Sequence, residues 1–110
     1  MKGCCCVDIC VNLSPDDAAS LLEEHILSSS EAELLDKYIA NGIYILVFDK
    51  YFFRINSSVG LTVTIHLKEK STIVHLVAAG CRSGLAENDF GVGKKFANSV
   101  EKILEEYIVK

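Results

Sequence analysis

The chain has 110 residues, half of them apolar, and a formal net charge of -4. This length suits one domain with a single hydrophobic core, so we expect residues 1–110 to form one. The negative charge and the lack of a basic run argue against DNA or RNA as a partner, because nucleic-acid binding depends on clustered Lys and Arg. Charged residues interrupt every apolar run well before the roughly 20 residues needed to cross a bilayer, so we expect no membrane association.

The five cysteines indicate a reducing compartment. Three of them are consecutive, at positions 4–6, and their spacing does not match a disulfide framework. Lys2 and the apolar run after it are a weak match to a secretion signal, because Asp8 interrupts the run and no small-residue cleavage site follows. We therefore expect a cytoplasmic protein.

Alternating side chains from Cys4 to Leu13 predict a first strand. Ser14 and Pro15 then predict the N-cap and first residue of a helix, and two aspartates follow in the first turn, where the helix dipole favours them. The apolar stripe of this helix is formed by Ala18, Leu21, Leu22 and Ile26.

A second, short helix is predicted after the first. Ser30 and Glu33 match a capping box, which marks a helix N-terminus. The apolar residues that follow at helical spacing are Ala32, Leu34, Leu35 and Tyr38. Asn41-Gly42 closes the segment.

The segment from Ile43 to Ile55 would be apolar on both faces if it were extended. Either both faces are covered, or the chain turns back at Asp49-Lys50. One long strand and two short strands both fit, because Asp-Lys is not a strong two-residue turn sequence.

The clearest pattern lies between Val59 and Gly80 and predicts an antiparallel β-hairpin with its turn at Glu69-Lys70. The predicted pairs on the apolar face are Leu67–Thr72, Ile65–Val74, Val63–Leu76 and Leu61–Ala78. The other face then carries Thr62, Thr64, His66 and His75, with Ile73 and Val77 between them. A slip of one residue would separate the two histidines and scatter the aliphatic side chains, so the pattern selects this register.

Apolar residues near the C-terminus recur at helical spacing and predict a long amphipathic helix: Phe96, Val100, Ile103, Leu104, Tyr107 and Ile108. Together the patterns predict an α+β fold in two layers. A curved antiparallel sheet of four or five strands is packed on one face by the N-terminal helix and the long C-terminal helix.

The predicted ligand or partner surface consists of Thr62, Thr64, His66, His75, Cys81 and Arg82. His66 and His75 would be diagonal neighbours, but two histidines are not a metal site, and partly exposed histidines beside threonines on a sheet explain them. Cys81 could be an activated thiolate, because the neighbouring Arg82 favours the charged form, but no histidine lies close in sequence.

The run Gly91–Lys94 looks like a phosphate loop, but the motif also requires a glycine where this chain has Asn88 and a serine or threonine where it has Lys95. We interpret the run as the tightly packed start of a helix, with a weak anion site as the alternative. Cys4 and Cys10 would lie about 20 Å apart along a strand and cannot share an ion. We predict no metal and no cofactor.

Several short segments recur, in the same order, in one known family. They are Val47–Arg54, Leu61–Ile65, Ala78–Gly80, Ser83-Gly84 and Phe90-Gly91, and Ser14-Pro15 at the start of the first helix agrees with them. The chain thereby resembles a small, uncharacterised bacterial family of α+β domains of unknown function. The resemblance implies no activity, because none is established for the family. A glycine is usual in that family where this chain has Cys81, so a shared thiol mechanism is not implied.

The predicted order of elements, β-α-β-β-β-α, is also similar to the TATA-binding-protein-like and Bet v 1-like layouts. This likeness is an analogy between folds and carries no function.

Two functions of different kinds fit these predictions. The first is a non-catalytic interaction module that binds a partner protein, or a second copy as a homodimer, through the threonine-histidine face or an exposed sheet edge. The second is a carrier of a small apolar ligand, with a pocket between the sheet and the C-terminal helix lined by Phe48, Phe52, Phe53 and Tyr107. An enzyme using Cys81 or the histidine pair is a third and weaker interpretation, because the sequence shows no complete catalytic constellation.

Overall fold

The computed structural model describes residues 5–29, 32–52, 56–79 and 92–109. Its elements are, in order, β1 (Cys5–Val11), α1 (Pro15–Ser29), β2 (Ala32–Ala40), β3 (Ile43–Phe52), β4 (Ser57–Lys68), β5 (Ser71–Ala79), α2 (Val92–Ile103) and a 3-10 helix (Glu105–Tyr107). Within these ranges the strands form one antiparallel sheet in the order β1-β5-β4-β3-β2. The predicted α+β class is confirmed.

The hairpin predicted between Val59 and Gly80 is confirmed as β4 and β5, and every predicted pair on its apolar face is present. Val63, Ile65 and Val74 are fully buried at the centre of the sheet. Leu67, near the turn, is 59% exposed whereas its partner Thr72 is 1% exposed, so burial ends earlier on β4 than on β5.

Both helices pack on the same face of the sheet. Helix α1 begins as predicted, because the backbone N–H of Asp17 donates to the Ser14 side-chain oxygen at 3.1 Å, which is an N-cap bond. It lies against β2, β3 and β4, whereas α2 lies against β1, β4 and β5. The side chains that the helices bury in the shared core include Ala18, Leu22, Ile26, Phe96 and Val100. Neither helix, within the described residues, has the length and apolar character needed to span a membrane.

The prediction of a second helix after α1 is wrong, because the segment forms the edge strand β2. Asn41 and Gly42 have φ values of 53° and 79°, which is the backbone of a tight hairpin turn, so β2 pairs directly with β3. A β-bulge explains the helix-like spacing. The register shifts between Leu34 and Asp36, so Leu35 is an extra residue in the strand and interrupts the strict alternation of its side chains. The order of elements therefore has four strands between the two helices, where three were predicted.

The segment from Ile43 onward forms one strand, β3, which the sequence could not separate from two. Asp49 and Lys50 do not form a turn, since they pair with Gly60 and Val59 of β4. Residues 53–55 lie outside the described ranges.

The C-terminal helix is shorter than predicted. Helix α2 begins at Val92 and ends at Ile103, and a 3-10 helix follows. Ile108 is extended and forms a bridge with Val11 of β1. Tyr107 and Ile108 still pack against the core, because the tighter 3-10 turn and the extended end keep their side chains on the sheet side.

The register makes a direct prediction for neighbouring positions on β4. Val63→Asp buries an unpaired carboxylate and is expected to lower the free energy of unfolding by about 4 kcal/mol or more. Thr64→Asp, on the other face, is expected to cost about 1 kcal/mol, mostly through lost strand propensity. Urea denaturation, at a concentration low enough to keep the chain monomeric, measures both. Equal losses would contradict the register.

Candidate interaction surface

One face of the sheet has no described element packed on it, and we call it the open face. The strand registers give its members. They include Cys6, Asp8 and Cys10 on β1; Ile73, His75 and Val77 on β5; Thr62, Thr64, His66 and Lys68 on β4; Ile43, Ile45, Val47, Asp49 and Tyr51 on β3; and Glu33, Asp36, Tyr38 and Ala40 on β2. The alternation that builds the core on one side of the sheet therefore also builds this surface on the other.

The structure places the predicted residues Thr62, Thr64, His66 and His75 together at the centre of the open face, where each is half-buried. Thr64 pairs with His75, and His66 is two residues further along β4, so the histidines are diagonal neighbours as expected. Cys81 and Arg82, the other two predicted site residues, lie outside the described ranges.

A shallow depression of about 530 Å³ lies on this face beside the histidines. It is lined by Asp8, Thr64, His66, Lys68, Ile73 and His75. Asp8 is opposite His75 in the register of β1 and β5, and its Oδ1 accepts a hydrogen bond from Nδ1 of His75 at 2.5 Å. Asp8 was not predicted as a residue of this site; the signal that could have placed it here is the alternation of the first strand, which puts Asp8 on the same face as Cys6 and Cys10.

The open face also carries apolar side chains on both sides of the threonines. Ile45 and Val47 lie on β3 and Ile73 and Val77 on β5, and all four are half-buried. Tyr38 on β2 extends this apolar surface and is 58% exposed. The surface is thus a mixture of aliphatic, hydroxyl and imidazole groups.

The thiols and the third histidine occupy different places in the described part of the chain. Within it, no group of three or more His, Cys, Asp or Glu side chains could hold a metal ion. Cys6 and Cys10 are free thiols on the open face of β1, and Cys4 lies outside the described ranges. His25 lies on α1, on the opposite side of the sheet from His75, so it does not join the histidine pair.

Two polar contacts tie α1 to the strands on the covered side. The Lys37 ammonium of β2 lies 2.9 Å from Oε1 of Glu23, and this hydrogen bond, with the charge of Glu23, raises the pKa of Lys37. The Tyr44 hydroxyl donates to Asp16 at 3.1 Å, and burial together with this bond raises the pKa of Tyr44. Both contacts lie at the solvent-exposed margin of the helix–sheet packing, so they add little to the burial of the apolar side chains of α1.

The residues predicted to line a ligand pocket between sheet and α2 make contacts with other core groups. Phe48 is fully buried. The ring of Phe52 meets that of Phe96 edge to face at 6.1 Å between centroids, and the Lys50 ammonium lies 5.2 Å from the Phe52 centroid. Phe53 lies outside the described ranges.

The Asp8–His75 pair is expected to contribute little to folding, because both side chains are well exposed to solvent, at 69% and 43%. Asp8→Ala should change the free energy of unfolding by less than about 1 kcal/mol. Urea titration of Asp8→Ala, His75→Ala and the double variant measures the coupling of the pair. A coupling energy well above about 1 kcal/mol would show that the pair stabilises the fold and does not belong to a binding surface.

Comparison with known proteins gives one informative result. Neither the curated proteins nor the solved structures include a match to this chain. Residues 7–108 match the model of a family described as "Family of unknown function (DUF6054)". The match covers both helices and nearly all of the sheet, and it confirms the resemblance to an uncharacterised domain family. The chain therefore belongs to the DUF6054 family of unknown function.

Proposed function

We propose that this protein is a non-catalytic interaction module that forms a homodimer through its open face. The observation that carries the proposal is the one-sided packing of the sheet: both helices cover one face, while the other carries Ile45, Val47, Ile73 and Val77 without a covering layer among the described residues. A sheet with apolar side chains on both faces is stabilised when a second layer covers the face that is still exposed to solvent.

The arrangement of the apolar side chains suits a second copy of the same chain. A two-fold axis that lies in the plane of the sheet, across the strands at Thr64, reverses the strand direction in the second copy. Val47 would then lie over Ile43 of the second copy, and Val77 over Ile73 of the second copy, since each pair lies at equal distances on either side of Thr64. Aliphatic side chains would therefore meet aliphatic side chains on both sides of the axis.

One pair of charges on the open face is complementary under the same rotation, whereas Asp8, which is level with Thr64, would meet Asp8 of the second copy beside the two His75 side chains. Asp49 lies near one end of the face, opposite Gly60 of β4, and Lys68 lies at the other end of β4. Reversal of the strand direction brings Asp49 of one copy beside Lys68 of the other. Such pairing selects the antiparallel arrangement over the parallel one, because the parallel arrangement would leave both charges without partners across the contact.

A charge placed on the axis tests the homodimer. Thr64→Asp would set two carboxylates against each other, and we expect the dimer dissociation constant to rise at least about tenfold, which is about 1.4 kcal/mol. Sedimentation velocity over a range of protein concentrations measures this constant.

Ser20→Asp is the matched control, because Ser20 is exposed on α1, on the opposite side of the sheet. It adds the same charge and should leave the constant unchanged. A dissociation constant that is the same for Thr64→Asp and wild type would overturn the proposal.

A carrier of a small apolar ligand is the second candidate. The aromatic rings of Phe52 and Phe96 beside α2 support it, because they supply the apolar contacts that such a ligand needs. An apolar fluorescent dye, 1-anilinonaphthalene-8-sulfonate, should then bind the folded protein, and Phe52→Ala should reduce its fluorescence. A signal unaffected by Phe52→Ala would argue against this site.

We also infer a cytoplasmic location. The cysteine pattern supports it, as do the free thiols of Cys6 and Cys10.

A further inference from the structure

The two edges of the sheet are finished differently. At the β1 edge, the backbone N–H of Val109 donates to the carbonyl of Cys10 at 2.8 Å, and that of Asn12 donates to the carbonyl of Tyr107 at 2.9 Å. The end of the chain therefore protects part of this edge. At the other edge, β2 is the outermost strand, and no described strand pairs with its outer side.

The β2 edge also exposes apolar side chains on both faces of the sheet. Tyr38 is on the open face and Ile39 is on the helix side, and they are 58% and 53% exposed. Leu35, at the bulge, is 59% exposed. A neighbouring strand is the partner that covers both faces of an edge at once, because its side chains alternate in the same way.

Lys37, the one lysine in β2, does not protect this edge from pairing with another strand. Edge strands are commonly protected by a lysine whose charge opposes pairing with another strand. Here the Lys37 ammonium is held 2.9 Å from Glu23 of α1, so its charge is directed to the protein's own helix. Its partner in the β2–β3 register is Leu46, on the covered side of the sheet.

We propose that a second copy of this chain adds its own β2 antiparallel to this edge, with Tyr38 on the two-fold axis. The bulge at Leu35 limits regular pairing to the stretch from Asp36 to Ala40. An axis at Asp36 or at Lys37 would place like charges directly opposite each other, which is unfavourable. An axis at Tyr38 sets ring against ring and Lys37 against Ile39 of the second copy, with no like charges opposed.

This contact is made by the outer backbone edge of β2 and does not depend on the open-face homodimer, although Tyr38 also belongs to the open face. The variant Thr64→Asp separates the two, because it weakens the open-face contact and leaves β2 unchanged. In that background we expect the chain still to form dimers through β2. Adding Ile39→Lys, which lies on the helix side of β2 and sets its ammonium against Lys37 of the second copy, should raise the dissociation constant at least about tenfold.

Leu67→Lys in the same background is the matched control. Leu67 is 59% exposed at the end of β4, away from β2, and the substitution adds the same charge. Sedimentation velocity should give the same dissociation constant with and without it. The edge contact is overturned if the Thr64→Asp chain is monomeric at every concentration, or if Leu67→Lys weakens dimers as much as Ile39→Lys does.

A disulfide trap tests the register itself. Residues opposite each other in an antiparallel pair have Cα atoms about 4.5–5.5 Å apart, within disulfide range. After mild oxidation and proteolytic digestion, the Tyr38→Cys variant should yield a cross-linked peptide in which a disulfide joins the two introduced cysteines across the axis. Leu67→Cys is the control for random collision, and equal yields of the two cross-linked peptides would overturn the register even if β2 dimers form.

Discussion

The antiparallel pairing of β4 with β5 is the constraint on which the rest of this structure depends. It fixes Val63, Ile65 and Val74 on one side of the sheet, where both helices pack, and Thr64 and His75 on the other. Because side chains alternate strictly along a strand, the core and the open face are two consequences of one register. A shift of one residue would put threonines under the helices and aliphatic side chains in water, so selection for a stable core also holds the surface pattern in place.

Local signals made the hairpin, the N-cap at Ser14 and the class of fold predictable. The errors arose where one pattern suits two structures. Around Leu35, the apolar residues of the bulged strand recur at the spacing of a short helix. Asn41-Gly42 is a sequence that suits positive φ values, which occur at the end of a helix as well as in a hairpin turn. At the C-terminus, helical spacing continues to Ile108, yet the last residues instead use a 3-10 turn and an extended bridge to β1.

Only the part of the candidate surface on β4 and β5 was predictable, because these two strands follow each other in the sequence. Alternation within the hairpin places Thr62, Thr64, His66 and His75 on one face. The hydrogen bond between Asp8 and His75 joins residues 67 positions apart, and it exists because β1 pairs with β5, not with β2. The pairing of β1 with β5 depends on helix packing and loop length across the whole chain, so no local sequence pattern predicts it. The exposed β2 edge was missed for a different reason, since its segment was predicted to be a helix.

The open face and the β2 edge are compatible as contacts within one assembly. Pairing at β2 needs a two-fold axis perpendicular to the sheet, whereas packing of open faces needs an axis within the plane of the sheet. Perpendicular two-fold axes that intersect generate a closed tetramer with dihedral symmetry. Edge pairing would give a sheet of ten strands, five from each copy. The outer edges of that sheet are the β1 strands, which the chain partly closes with its own Tyr107 and Val109, and this limits further growth by strand addition.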